Sequence, residues 1–249
     1  MPLFKTFLFG LLTLVISSGA VSPGAIAQSG FTLPVGMNLE YVFYRGNTKI
    51  GTMQRTLTRS DDDHYVLESN VKVTHFFARL FLKGIVERST FTFENNHAKP
   101  LKYLHHRSGS KKSRNQNLTF DWDAGQIGGT GQVSDNSQET PWVLEIPANT
   151  VDRHLYQLNV MFDMQDEPTS LQYLVADKGR LKTYNVENLG SETIDTPLGE
   201  IDTIKLLRQT EKRSTTIWVA PKYNYLPVQI EQNEKGQKFR SVIKNIGGL

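Results

Sequence analysis

The chain has 249 residues, 38% of them hydrophobic and 21% charged, with 28 Lys and Arg against 25 Asp and Glu for a formal net charge of +3. That size suits one large β domain and can bury a core without covalent staples. With no cysteine, disulfides, thiolate metal sites and cysteine nucleophiles are excluded, and the nearly balanced charge gives no argument for nucleic acid.

Lys5 forms a short positive region, residues 7–16 (FLFGLLTLVI) carry no charge, and Ala25 and Ala27 put small residues just before Gln28. This is the layout of a secretory signal peptide cut after Ala27, leaving residues 28–249 as a single antiparallel β domain. The apolar run is short for ~30 Å of hydrocarbon and no later run approaches that length, so no transmembrane span is expected after cleavage. An exported chain without cysteine fits the periplasm of a Gram-negative bacterium.

Strands are read at 38–45, 49–59 and 64–74, separated by Gly46-Asn47 and by Asp61-Asp62-Asp63. Gly51 marks a bulge or a close backbone approach. In the third strand Tyr65, Leu67, Val71 and Val73 share one face. Phe76, Phe77, Leu80 and Phe81 then change the period and predict a short amphipathic helix closing on the sheet. Strands resume at 85–94, 101–107 and 115–122, and the Gly- and Ser-rich stretch 125–138 reads as a loop or a weak hairpin. Val151, Leu155, Leu158 and Phe162 form the apolar stripe of a second helix over 151–164. Asn149 or Thr150 is its expected cap, Asp152 lies in its first turn and Pro168 beyond its end. Further strands are read near 171–175, 180–189, 191–195, 199–209, 215–219, 228–233 and 237–244, with a hairpin turn at 233–236. A meander of so many strands without βαβ alternation predicts a mostly all-β fold, a large curved or closed antiparallel sheet or barrel with one or two short helices.

In residues 215–232 (TTIWVAPKYNYLPVQIEQ) Thr216, Trp218 and Ala220 share a face, and Pro221 and Pro227 fence a loop between paired strands. Trp218 reads as the residue fixing this hairpin on the core, with ligand stacking as its alternative role. W-V-A-P followed by Y-L-P-V-Q-I-E resembles the C-terminal hairpin of a bacterial exported family catalogued as domain of unknown function 3108. Phe120-Asp121-Trp122-Asp123 with Gly125, the helix opening at Asp152-Arg153, and Thr196-Pro197-Leu198-Gly199 leading into Ile201-Asp202-Thr203 extend the resemblance over most of the mature chain. A fainter resemblance is to the lipoprotein carriers of the periplasm, half-barrels that end in a similar Trp and Leu-Pro hairpin. The first resemblance implies no reaction and no catalytic residues. The second implies, by analogy of fold alone, an acyl chain held in a hydrophobic cavity.

The chain has no G-x-S-x-G elbow, P-loop, H-E-x-x-H or dinucleotide fingerprint. None of His64, His75, His97, His105, His106 and His154 has metal-ligand spacing, and neighbours such as His105 and His106 face opposite sides of a strand, so no metal or cofactor is expected. Asp121 and Asp123 share a face without a third ligand and read as a strand end flanking a turn. Asp152 and Arg153 read as a cap with a surface ion pair, or as a polar gate at a cavity. Phe76 and Phe77 read as core, with a cavity lining as the alternative. Residues 95–120 carry Lys99, Lys102, Arg107, Lys111, Lys112 and Arg114 and no acid. They read as a strand edge protected by lysines, or as an anion site at Lys111, Lys112 and Arg114 for lipid head groups or lipopolysaccharide phosphate.

The functional expectation is a non-catalytic periplasmic protein that binds a hydrophobic or amphiphilic envelope component in the curved sheet, with Trp218, Asp152, Arg153, Phe76 and Phe77 as its ligand-binding set. The alternatives are an envelope interaction or scaffold protein that binds a protein partner or polyanion, and a hydrolase of envelope polymers that uses Asp121 and Asp123. The interior volume of the barrel separates the first two.

Overall fold

A computed structural model describes residues 32–61, 63–80, 82–109, 114–131, 141–211 and 213–249. Spatial order follows chain order almost throughout. One wing of the sheet is β1 (Asn38–Arg45), β2 (Thr48–Arg59), β3 (Tyr65–Val73), β4 (Gly84–Glu94), β5 (His97–Ser108), β6 (Arg114–Asp121), β7 (Gln126–Gly131) and β8 (Trp142–Glu145). The other wing is β9 (Thr150–Asp152), β10 (Ser170–Ala176), β11 (Leu181–Thr196), β12 (Gly199–Thr210), β13 (Arg213–Ala220), β14 (Leu226–Glu234) and β15 (Gln237–Gly247). Antiparallel pairing of β1 with β15 joins the wings into one 15-stranded sheet with β8 and β9 at its edges. The sheet curls without closing, as a twisted sheet of this width must.

The mostly all-β expectation therefore holds, with one departure from antiparallel pairing. β9 runs parallel to β10, and helix α2 (Leu155–Asp163) is the crossover between them. The second helix was expected over 151–164, but Thr150 and Val151 are β-branched and extend as strand. Asp152 ends that strand by accepting the backbone N–H groups of His154 and Leu155, each at 2.8 Å. The capping side chain is therefore Asp152, not Asn149 or Thr150.

α2 fills the concave side. Leu155, Leu158, Met161 and Phe162 join a cluster with Leu39, Tyr41, Phe91 and Trp218, while Tyr156, Val160 and Met164 join a second with Tyr173, Val175 and Val219. A helix wrapped by sheet is apolar on more than one stripe. Its one buried amide, Asn159, accepts the backbone N–H of Ala98 at 2.9 Å and fastens the helix to β5.

The first helix, α1 (Phe76–Arg79), is a single turn and does not close on the sheet as expected. Leu82 is buried and Ala78 packs on the core, whereas Phe76, Phe77 and Leu80 are 73%, 67% and 52% exposed. With the i and i+4 positions 78 and 82 facing inward, 76, 77 and 80 must face away. Phe81 lies outside the described residues. Two smaller corrections concern strands. Residues 180–189 and 191–195 belong to one strand, β11, with a register shift between Asn188 and Ser191. Within 125–138, residues 126–131 form β7, and β8 was not expected. Gly51 is a close approach: a Cβ there would lie 2.1 Å from the Lys72 carbonyl oxygen.

The meander sends alternate turns to opposite ends of the sheet. At one end Arg45 pairs with Thr48, Gly84 with Ser108, Ala176 with Leu181, Thr210 with Arg213 and Glu234 with Gln237. At the other, Arg59 pairs with Tyr65, Glu94 with His97, Asp121 with Gln126, Thr196 with Gly199 and Ala220 with Leu226.

Candidate functional site

A polar row crosses the interior of the first wing. Register sets Arg55 opposite Ser69, Ser69 opposite Glu87, Glu87 opposite His105, and His105 opposite Gln116. Directly opposed residues share a face, so five polar side chains point inward together. The tripeptide Asp152-Arg153-His154 closes on this row from the end of β9. Arg153 Nε lies 3.0 Å from Glu87 Oε1, and the Tyr103 hydroxyl donates to the same oxygen at 2.7 Å. Burial pushes the Glu87 carboxyl up, but Arg153 and His105 outweigh it and hold the group well below the carboxylate range. Arg153 likewise overcomes its burial through Tyr103, Glu87 and Asp177, which keep it charged. Asp177, raised by burial, is brought below its ordinary value by Arg153 and by Lys182, whose Nζ is 2.6 Å away.

Beside this pair runs a chain of hydrogen bonds. Arg55 Nε donates to Ser69 Oγ at 2.8 Å, Ser69 Oγ lies 2.8 Å from His154 Nε2, His154 Nδ1 lies 3.4 Å from Ser89 Oγ, and Ser89 donates to Asp152 Oδ1 at 3.1 Å. Burial, then Arg55, lowers His154 to about 3, so its ring is neutral. Asp152 Oδ1 already accepts the amides of His154 and Leu155, so toward this oxygen Ser89 is the donor. Ser89 then accepts from His154 Nδ1–H, and Nε2 accepts from Ser69. Every donor in the chain points from the guanidinium toward Asp152 Oδ1. Burial raises Asp152 to about 7 in spite of the amides of Leu155 and His154 and the Ser89 hydroxyl, and its Oδ2 has no hydrogen-bond partner.

Ser69, His154 and Asp152 share only composition with a hydrolytic triad. Ser69 is buried and accepts from Arg55, and Ser89 stands between His154 and Asp152. The chain of hydrogen bonds through His154 and Asp152 ties the start of α2 to β3 and β4. One space beside α2, lined by Met37, Arg55, Leu67, Gln157, Leu158, Met161, Leu226 and Pro227, leaves room for about one water.

The expected ligand set does not converge. Asp152 and Arg153 form no surface ion pair and belong to the interior network, because β9 ends against the inward face of β4 and β5. Trp218 is in the main core, its Nε1 donating to Glu192 Oε2 at 2.9 Å and Lys205 Nζ standing 5.3 Å from its ring. Phe76 and Phe77 are exposed at a sheet end. Lys111 and Lys112 lie outside the described residues, and Arg114 opens β6 opposite Arg107. Asp121 and Asp123 are exposed, and Asp121 Oδ1 accepts the Ala124 N–H at 2.9 Å, the turn reading of that pair. The members not foreseen are Arg55, Ser69, Glu87, Ser89, Tyr103, His105 and His154. Their signal was parity: Ser69 sits between inward-facing Leu67 and Val71, and Arg55 between Met53 and Leu57.

The two ends of the sheet differ in charge. The end that carries α1 exposes Arg45, Lys49, Lys72, Arg79, Lys83, Lys178, Arg180 and Lys235, with Glu211 as an exposed acid. The opposite end exposes Asp61, Asp63, Glu94, Asp121, Asp123, Glu145, Asp166, Glu167, Asp195 and Glu200, with Arg59, Lys222 and His97, raised to about 9 by its pairing with Asp163, as exposed cations. Among the described residues one end of the sheet is thus basic and the other acidic.

Among solved structures, the chain is similar to the crystal structure of a β-barrel-like protein of domain of unknown function DUF1849 from Brucella abortus. The TM-score is 0.52 at 9% identity, covering 85% of this chain and 97% of that chain. At this identity the likeness concerns the fold alone. No curated protein matches the chain. The model of the family described as "Protein of unknown function (DUF3108)" matches residues 40–242, from β1 to β15 and including both the Asp152-Arg153 pair and the Trp218 hairpin. The chain belongs to the DUF3108 family.

Proposed function

We propose that this chain is a non-catalytic protein of the bacterial periplasm, exported by a leader at residues 1–27, that binds an anionic, amphiphilic envelope component at the basic end of its sheet. The observation that carries the reading is the sorting of exposed charge between the two ends while α2 packs the interior. The packed interior counts against an acyl chain held inside the curl. The sealing of Ser69, His154 and Asp152, and the turn role of Asp121, count against hydrolysis. An exposed field of one sign draws partners of the other and weakens with salt.

The test is retention of the purified mature protein on an immobilised polyanion such as polyphosphate. Reversal of Arg79, Lys83 and Arg180 to Glu abolishes retention and leaves folding intact, while Lys222→Glu at the other end changes nothing. Retention that survives the triple reversal removes the reading.

A further inference from the structure

The segment between β3 and β4 is built to present apolar rings outward. Thr74 and His75 donate their backbone N–H groups to the Ile50 carbonyl at 2.9 and 3.1 Å, and Lys83 N–H donates to the Ser108 carbonyl at 2.9 Å. Leu82 and Ala78 anchor the turn from beneath. Both ends and one face are therefore fixed, and Phe76 and Phe77, in edge-to-face contact at 5.4 Å, are held in solvent with Leu80. Three neighbouring apolar side chains that a folded core could have taken, but that face water, mark an interaction surface. The same end of the sheet also presents Arg45, Arg79, Lys83, Arg180 and Lys235. Aromatic rings flanked by Lys and Arg are the chemistry of the membrane–water interface: rings enter at the depth of the head groups while cations meet phosphates.

We infer that this end of the sheet docks on an anionic phospholipid surface, with Phe76, Phe77 and Leu80 entering the head-group layer and the surrounding Arg and Lys residues pairing with lipid phosphate. This rests on the reading above that the basic end is the binding end. It names the partner as a bilayer surface, not a protein or soluble polyanion. The acidic end, repelled by the same surface, points away and fixes the orientation.

The test is co-sedimentation of the mature full-length chain with vesicles of phosphatidylglycerol and phosphatidylcholine, and with phosphatidylcholine alone. Binding is expected to the anionic vesicles only and to fall steeply with salt. Phe76→Ser with Phe77→Ser weakens it about tenfold or more, and Lys83→Glu with Arg180→Glu does the same. In a separate variant, Phe77→Trp, the added indole emission shifts to the blue on binding, relative to the parent chain. Retention on polyphosphate with no binding to anionic vesicles overturns the inference and leaves the broader reading standing. Loss of both overturns both. Equal binding to neutral vesicles, or vesicle binding indifferent to the Phe pair, also overturns it. Unchanged urea midpoints in the variants exclude unfolding as the cause of any loss.

Discussion

The Asp152-Arg153-His154 tripeptide and the Phe76-Phe77 pair invert the usual placement of side chains in opposite ways. One puts ionisable groups inside, the other puts phenyl rings in water. Inside, the charged groups and the His154 imidazole have partners from the chain itself: Arg153 with Glu87, His154 with Ser69 and Ser89, Asp152 Oδ1 with two amides, while Asp152 Oδ2, His105 Nδ1 and both amide atoms of Gln116 have no hydrogen-bond partner. Such pairing is the condition under which buried polar groups persist. At the tip the chain supplies the two rings with little beyond each other and His75. A self-satisfied inversion is structural, while an unsatisfied one points outside the chain.

Three variants sharpen or break this contrast. The largest effect is expected from Arg153→Ala, which leaves Glu87 without its nearest cation. Loss of one partner of a buried pair costs about 3–5 kcal/mol. The lower value applies because Tyr103 still donates to Glu87 and 18% of the Glu87 side chain meets solvent. Urea denaturation measures it, and a loss below ~1 kcal/mol would mean that the network does not hold the fold.

The second concerns pH. Asp152 titrates near 7 in the folded chain against 3.8 ordinarily, so between those values the native state holds a proton that the unfolded state has released. Its contribution to stability falls as pH rises through that range. His154, near 3 against 6.5, is reversed: the unfolded chain holds the extra proton, and its contribution rises with pH up to 6.5. In the wild type the two slopes oppose each other between about pH 4 and 6.5. Asp152→Asn removes one of them, so stability in the variant climbs with pH by up to about 1.4 kcal/mol per unit. Urea midpoints across that window that stay as flat in the variant as in the wild type would remove the assignment.

The smallest effect on folding is expected from Phe76→Ser with Phe77→Ser. Because both rings are already mostly in water, stability should stay within about 0.5 kcal/mol of wild type. A thermal melt that drops sharply would show the tip to be part of the core and erase the contrast with the interior.

Much of the fold was written in local pattern. Alternating apolar residues bounded by Gly, Asn and Asp turns placed β1 and most later strands within a few residues, because strand periodicity and turn chemistry are short-range. The bounds of α2 were less readable. The stripe Val151, Leu155, Leu158, Phe162 extends into a strand, and only Asp152 reaching back to two amides shows where extension stops. Asp152 and Arg153 could be singled out from the sequence, but not their partners: Glu87, Ser89 and Ser69 come from strands some 60 to 85 positions away.

The amino-acid order by itself determined a cysteine-free, mostly β chain whose meander alternates its turns between two ends, since period-two burial and turn residues act over a few positions. Only the tertiary structure decided which polar residues face inward as partners, which aromatic residues face out, and that basic turns gather at one end and acidic turns at the other. Those outcomes depend on strand register and curl, which bring together residues far apart in sequence and which no local pattern encodes.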